Sequence, residues 1–260
     1  MLKKKKQEKY FNRHWEAMFT HLYNFCVAEN PEELHKLRVE IKKLEALFML
    51  LKECSWNNYD DKRFRKKFMS VKKIFKNAGR IRNAHINLQL LDKFKTENSD
   101  FKDKQKTILQ EQSSKFCNDM IFYADKISKN HKSLMKLLYD AESKKILDLY
   151  KKQLKKINKI FKSYKKPAEL HKSRKNIKQL LYVYSILNKP FIKKIKLNAK
   201  YFDNLQEIIG KWHDTEITID LLTSTGFSDS AVMNDLKKQS KDYIKKIDSN
   251  TVNFLKKAVL

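Results

Sequence analysis

Residues 31–44, Pro31-Glu-Glu-Leu-His-Lys-Leu-Arg-Val-Glu-Ile-Lys-Lys-Leu44, return at 167–180 as Pro167-Ala-Glu-Leu-His-Lys-Ser-Arg-Lys-Asn-Ile-Lys-Gln-Leu180, with nine of fourteen positions identical at an offset of 136. In the first copy Leu34, Leu37, Ile41, Leu44, Phe48 and Leu51 are spaced 3, 4, 3, 4 and 3 residues apart. That spacing places them on one face of an α-helix. Pro31 and Pro167 open the two copies, where a missing N–H costs nothing. A second match follows each copy. Gly79-Arg-Ile-Arg-Asn83 precedes Leu90-Leu91, and Gly210-Lys-Trp-His-Asp214 precedes Leu221-Leu222, now at an offset of 131. Two helical elements recurring in the same order predict a duplication. The expected architecture is all-α: a single domain, 1–260, of two four-helix bundles at about 1–139 and 140–260, related by a pseudo-twofold.

Composition agrees with a helical fold. The 260 residues contain three Gly and three Pro, too few for the tight turns of a sheet-rich fold. Hydrophobic residues make up 41% and aromatics 12%, enough for a core and unlike a disordered chain. Helical patterning is expected over about 5–28, from Pro31 onward, 60–95 with an interruption at Gly79, and 100–139 with a break near Asn130. It continues over about 142–163, from Pro167 to before Pro190, and over 198–222. A turn at Gly226 and Ser228 then leads into a last helix ending near Lys257. Trp15, Trp56 and Trp212 follow helical spacing and are expected in the core.

Lys+Arg is 58 against 30 Asp+Glu, a net charge of +28. Such an excess points to a polyanion, which binds a basic surface with release of counterions. Only seven of the cations are arginines, so the positions that keep Arg carry more information than the lysines. Cys26, Cys54 and Cys117 form no CxxC pair and suggest no disulfide framework, as in a reducing compartment. The charged segment Met1–Tyr10 lacks the apolar stretch of a secretory signal. The longest apolar run, Ala46–Leu51, is far short of a membrane span. A cytoplasmic protein without membrane insertion is expected.

His35, Arg38 and Lys42 each follow a stripe residue by one position, about 100° around the helix. They form a row of cations beside the core-facing stripe. His171, Arg174, Lys175 and Lys178 form the matching row. Cations held at the edge of a core are better anion ligands than free surface lysines. Arg engages two phosphate oxygens at once, whereas Lys acts as a point charge. The expected anion surface consists of these seven residues with Lys76, Arg82 and His213 at its edge. Protonation of His35 and His171 near pH 6 is expected to strengthen it between about pH 8 and 6. A glycine inside a helix costs about 1 kcal/mol relative to Ala, so Gly79 and Gly210 call for a close approach or a kink. Asn83 and Asp214 either orient a neighbouring side chain or bond to backbone.

His35-x-x-Arg38-x-x-x-Lys42 and His171-x-x-Arg174-x-x-x-Lys178, each followed by Gly-x-x-(Arg/His)-(Asn/Asp), resemble the CHAD domain, the conserved histidine α-helical domain. The resemblance spans essentially the whole chain. It implies a duplicated pair of four-helix bundles that binds inorganic polyphosphate on a basic central surface without catalysis, in some members at polyphosphate granules. The chain departs from the family pattern at Glu45 and Leu181, where the basic row usually continues, and at Asn83, where Asp is usual. The family is often joined to a triphosphate-hydrolysing tunnel domain, for which these residues leave no room.

Other signals are weaker. His213-Asp214 resembles half of a metal-dependent hydrolase dyad, but the equivalent pair is Arg82-Asn83, which cannot serve as ligands. His14 and His21, seven residues apart, suggest packing or solvent contact rather than metal binding. No Gly-rich phosphate loop or nucleophile motif occurs, so neither enzyme activity nor a cofactor is expected. Nucleic acid is the alternative partner, engaging the same cations through its phosphodiester backbone. Nucleic-acid readers add exposed aromatics or a recognition helix, and the sequence offers neither.

Overall fold

In the computed structural model, residues 1–54, 60–95, 99–163, 167–227 and 229–259 are described. Trp56 and Ser228 lie outside them. The fold is all-α; among the described residues, extended backbone pairs only at two isolated bridges, Leu2 with Ala141 and Leu197 with Val259. The chain divides into two compact units, Met1–Glu142 and Ser143–Leu260.

Unit 1 contains α1 (Lys4–Ala28), α2 (Pro31–Cys54), α3 (Asp61–Lys93), α4 (Ser99–Asn118) and α5 (Met120–Met135). Helix α1 ends at Glu29, whose φ of 50° turns the chain. Asn30 then caps α2, its Oδ1 accepting from the Glu32 N–H at 3.0 Å. Glu32 and Glu33 in the first turn complement the helix dipole. Asp60 caps α3 by accepting from the Arg63 N–H at 2.8 Å. Helix α2 packs between α1 and α3 and buries Leu34, Leu37, Ile41, Leu44, Phe48 and Leu51.

Unit 2 contains α6 (Ser143–Ser163), α7 (Pro167–Ile186), α8 (Lys189–Ile195), α9 (Ala199–Ser224), α10 (Ser230–Thr251) and α11 (Phe254–Ala258). Helix α7 packs between α6 and α9 and buries Leu170, Ile177, Leu180 and Val183. Asn198 caps α9 and Asp229 caps α10, each side chain accepting from backbone N–H groups in the first turn. Gly226 takes a φ of 71°, the left-handed conformation that glycine adopts most readily.

Three boundaries differ from the sequence expectation, and one short helix, α8, was not expected. Helix α3 runs unbroken through Gly79, because that glycine serves a side-chain approach described below. The expected break near Asn130 falls instead at Asp119, between α4 and α5. Asn130 stays helical because its side chain donates across to Ser70 Oγ of α3 at 3.4 Å rather than competing for its own backbone. Pro190 opens the short helix α8, where its missing N–H is harmless. The last helix ends at Thr251, and Asn253, with a φ of 54°, separates it from α11. Trp15 and Trp212 are buried as expected, and the three cysteines are free thiols. No helix among the described residues is long and apolar enough to cross a membrane.

Candidate functional site

Helix α2 is pinned on one flank by α1. His14 Nδ1 bonds to Glu40 Oε2 in the buried interface, and His21 Nδ1 bonds to Glu33 Oε2 at 2.8 Å. Each carboxylate also accepts from the lysine three residues on, Lys43 and Lys36, at 2.6 and 2.7 Å. Burial pushes the Glu40 carboxyl up, but His14 and Lys43 outweigh it and hold the group below its usual range. The seven-residue spacing of His14 and His21 therefore marks neither packing alone nor solvent contact. It matches the spacing of Glu33 and Glu40 on the facing helix, which was the signal available in the sequence.

The other flank of α2 carries the predicted row towards α3. Arg38 Nη1 donates to the carbonyl of Phe75 at 2.6 Å. Its guanidinium carbon lies 3.9 Å from the centroid of the Phe75 ring, and Lys42 Nζ lies 4.4 Å from it. Past that carbonyl the guanidinium crosses Gly79; a Cβ there would overlap Nη1 and lie 3.1 Å from Cζ. Burial, and then the charge of Arg82 on α3, lower the Arg38 pKa from its ordinary value. Lys42 is exposed and pairs with Glu45 at 2.6 Å, so one cation of the row already has a counterion. Phe75 was missed by sequence reasoning, because nothing local distinguishes it from other apolar positions of α3. His35 is half-buried on α2, and Lys76 is exposed on α3.

Unit 2 repeats the central element. Arg174 Nε donates to the carbonyl of Gln206 at 3.1 Å, and a Cβ on Gly210 would lie 2.8 Å from Arg174 Nη2. Phe75 and Gln206 each stand four residues before their glycine. Without a Cβ, that glycine leaves the carbonyl one turn earlier open to a guanidinium. Among the described residues, no carboxylate forms an ion pair with Arg38, Arg82 or Arg174.

Where unit 1 has Arg82, unit 2 has His213, whose ring centroid lies 4.4 Å from that of His171. Burial, followed by the charges of Lys175, His213 and Arg174, lowers the His171 pKa to about 4. The pKa of His213 is also lowered, mainly by burial and less by Arg174 and Lys175, against the opposing pull of Asp214 and Glu216. His171 is therefore neutral across pH 8 to 6, and the expectation that it charges there is corrected. Lys175 is exposed and Lys178 is half-buried one turn beyond Arg174. Asp214 is exposed and acts on His213 through its charge. Asn83 lines a shallow cleft of about 400 Å³ together with Arg80, Asn87 and Gln105. No group of three metal-ligating side chains occurs among the described residues.

A family model described as the CHAD domain matches residues 9–223. Among solved structures, the chain is similar to the crystal structure of the CHAD domain from the plant Ricinus communis, at 12% identity and a TM-score of 0.67. That match covers 95% of this chain and 91% of the other. No curated protein matches.

Proposed function

The chain belongs to the CHAD domain family, and on that footing we propose that it binds inorganic polyphosphate as a non-catalytic module. One observation carries this reading. In each unit a half-buried arginine is fixed on a helix carbonyl across a glycine, and among the described residues no carboxylate pairs with it. A partly desolvated charge without a counterion costs free energy. A bound anion supplies the counterion, and the guanidinium is already oriented to meet it. On the same helices, α2 with α3 and α7 with α9, stand the remaining proposed ligands: His35, Lys42, Lys76 and Arg82 in unit 1, and His171, Lys175, Lys178 and His213 in unit 2. The net charge of +28 draws a polyanion in over longer range. A cytoplasmic location, at polyphosphate granules where these form, follows from this reading.

The test is a titration of labelled long-chain polyphosphate, in competition with duplex and single-stranded nucleic acid. Arg38→Ala with Arg174→Ala should weaken binding far more than Lys237→Ala with Lys238→Ala, two exposed lysines. Removing one charge-assisted hydrogen bond to the anion costs about 1.5–3 kcal/mol. Equal effects would mean that diffuse charge binds the polymer, and preferential capture of nucleic acid would replace polyphosphate as the ligand.

A further inference from the structure

Resting on the polyphosphate reading, we propose that unit 2 couples anion binding to proton uptake by His171 and His213, while unit 1 meets the anion at the equivalent position with the fixed charge of Arg82. Acid then strengthens the grip of unit 2, and alkali loosens it.

The geometry supports the coupling. Two imidazoles whose centroids lie 4.4 Å apart repel each other once both are charged. The charges that act on the pair come from α7 and α9 themselves. Arg174 and Lys175 disfavour protonation of both rings, and Asp214 and Glu216 favour it at His213. His171 Nδ1 is buried without a hydrogen-bond partner, so the neutral ring keeps its proton on Nε2, and the second proton, taken up at Nδ1, finds no acceptor there. Burial, Arg174 and Lys175 thus disfavour the charged form of both rings. A polyphosphate segment beside Arg174 reverses the local field. Its oxygens also accept from Nε2–H, and that bond strengthens once the ring is charged. Linkage is reciprocal: a ligand that prefers the protonated rings raises their pKa, and lowering the pH raises its affinity by the same coupling. The free-state value for His171, about 4, sets the acid end of the window, and the bound-state value sets the other. Unit 1 has no second ring at this position, because Arg82 stands where His213 does.

The experiment uses the full chain and long-chain polyphosphate, whose internal phosphates stay ionised throughout. Arg38→Ala with Arg82→Ala removes the fixed charges of unit 1, and circular dichroism checks its fold. In that background affinity should rise by up to about tenfold per pH unit for each proton taken up, between about pH 5.5 and the free-state value of about 4. Adding His213→Arg, which copies unit 1, should cut the rise to less than about threefold overall. Carboxylates elsewhere titrate alike in both proteins, so the difference belongs to the ring pair. In parallel, NMR titration of the wild-type imidazoles should show the His171 pKa rising by at least about one unit with saturating polyphosphate. This arm decides the matter if the background binds too weakly. An unmoved His171 pKa, or a pH slope unchanged by His213→Arg, overturns this inference and leaves the functional reading standing. Absence of wild-type binding at every pH overturns both.

Discussion

Arg38 of α2 lies across Gly79 of α3, its Nη1 held by the carbonyl of Phe75 at 2.6 Å. Arg174 and Gly210 stand in the same relation, with Arg174 Nε on the carbonyl of Gln206. The glycine is retained in a helix interior, at a cost of about 1 kcal/mol, because a methyl group would displace the guanidinium.

Gly79→Ala and Gly210→Ala should therefore separate stability from binding. Alanine gains about 1 kcal/mol of helix propensity. The displaced arginine gives up a charge-assisted hydrogen bond of similar size, about 1.5 kcal/mol. Urea unfolding should show a net change within about 1 kcal/mol, while polyphosphate titration shows clearly weakened binding. Unchanged affinity in both variants would mean that the arginine geometry is irrelevant to the anion.

Phe75→Leu should weaken binding through unit 1 alone. The ring holds Arg38 and Lys42 side by side, and such cation–π interactions are worth about 0.5–2 kcal/mol. Gln206→Leu serves as the control, since Arg174 uses only the main-chain carbonyl there. Equal effects of the two substitutions on polyphosphate affinity would contradict the assigned role of the ring.

Salt dependence reports how many phosphates the protein neutralises. Each arginine that neutralises one releases a counterion, so its removal should lower the slope of log affinity against log salt by about 1. Arg38→Ala and Arg174→Ala are expected to do so in titrations across a salt series. Lys237→Ala should leave the slope nearly unchanged.

The pairs between α1 and α2 make a prediction about stability. Lys36 first, and then His21, hold the Glu33 carboxyl at about 2, against a usual value of 4.5. A carboxyl lowered on folding contributes stability above its unfolded pKa and loses it as pH falls through the folded value. At pH 7 Glu33→Gln should lower the thermal midpoint by the equivalent of about 1 kcal/mol or less, as for a pair near the surface. The gap from wild type should close as pH falls from 4.5 to about 2. A gap that persists to the lowest pH would assign it to packing instead.

The helical class was legible in the sequence because it is a local property. Three glycines and three prolines leave little room for tight turns, and the stripe from Leu34 to Leu51 repeats every turn. The recurrence of His, Arg, Lys and Gly in two blocks singled out Arg38, Arg174, Gly79 and Gly210 without any structure. The cap of α10 by Asp229 and the break at Asp119 were harder to read, since boundaries depend on a few side-chain bonds.

What chain order could not specify is which atoms meet across helices. His14 finds Glu40, Arg38 finds the Phe75 carbonyl, and His171 finds His213 over separations of 26 to 42 residues in the chain. Those meetings depend on the rotation and register of one helix against another, which packing sets. The same packing removes water from His171 and gathers cations around it, so a histidine whose sequence suggests charging near pH 6 stays neutral down to about 4. The sequence thus determined the helices and the identity of their cations. Tertiary structure alone decided which cations are fixed, which are paired and which titrate, because burial and neighbouring charge are properties of the packed chain.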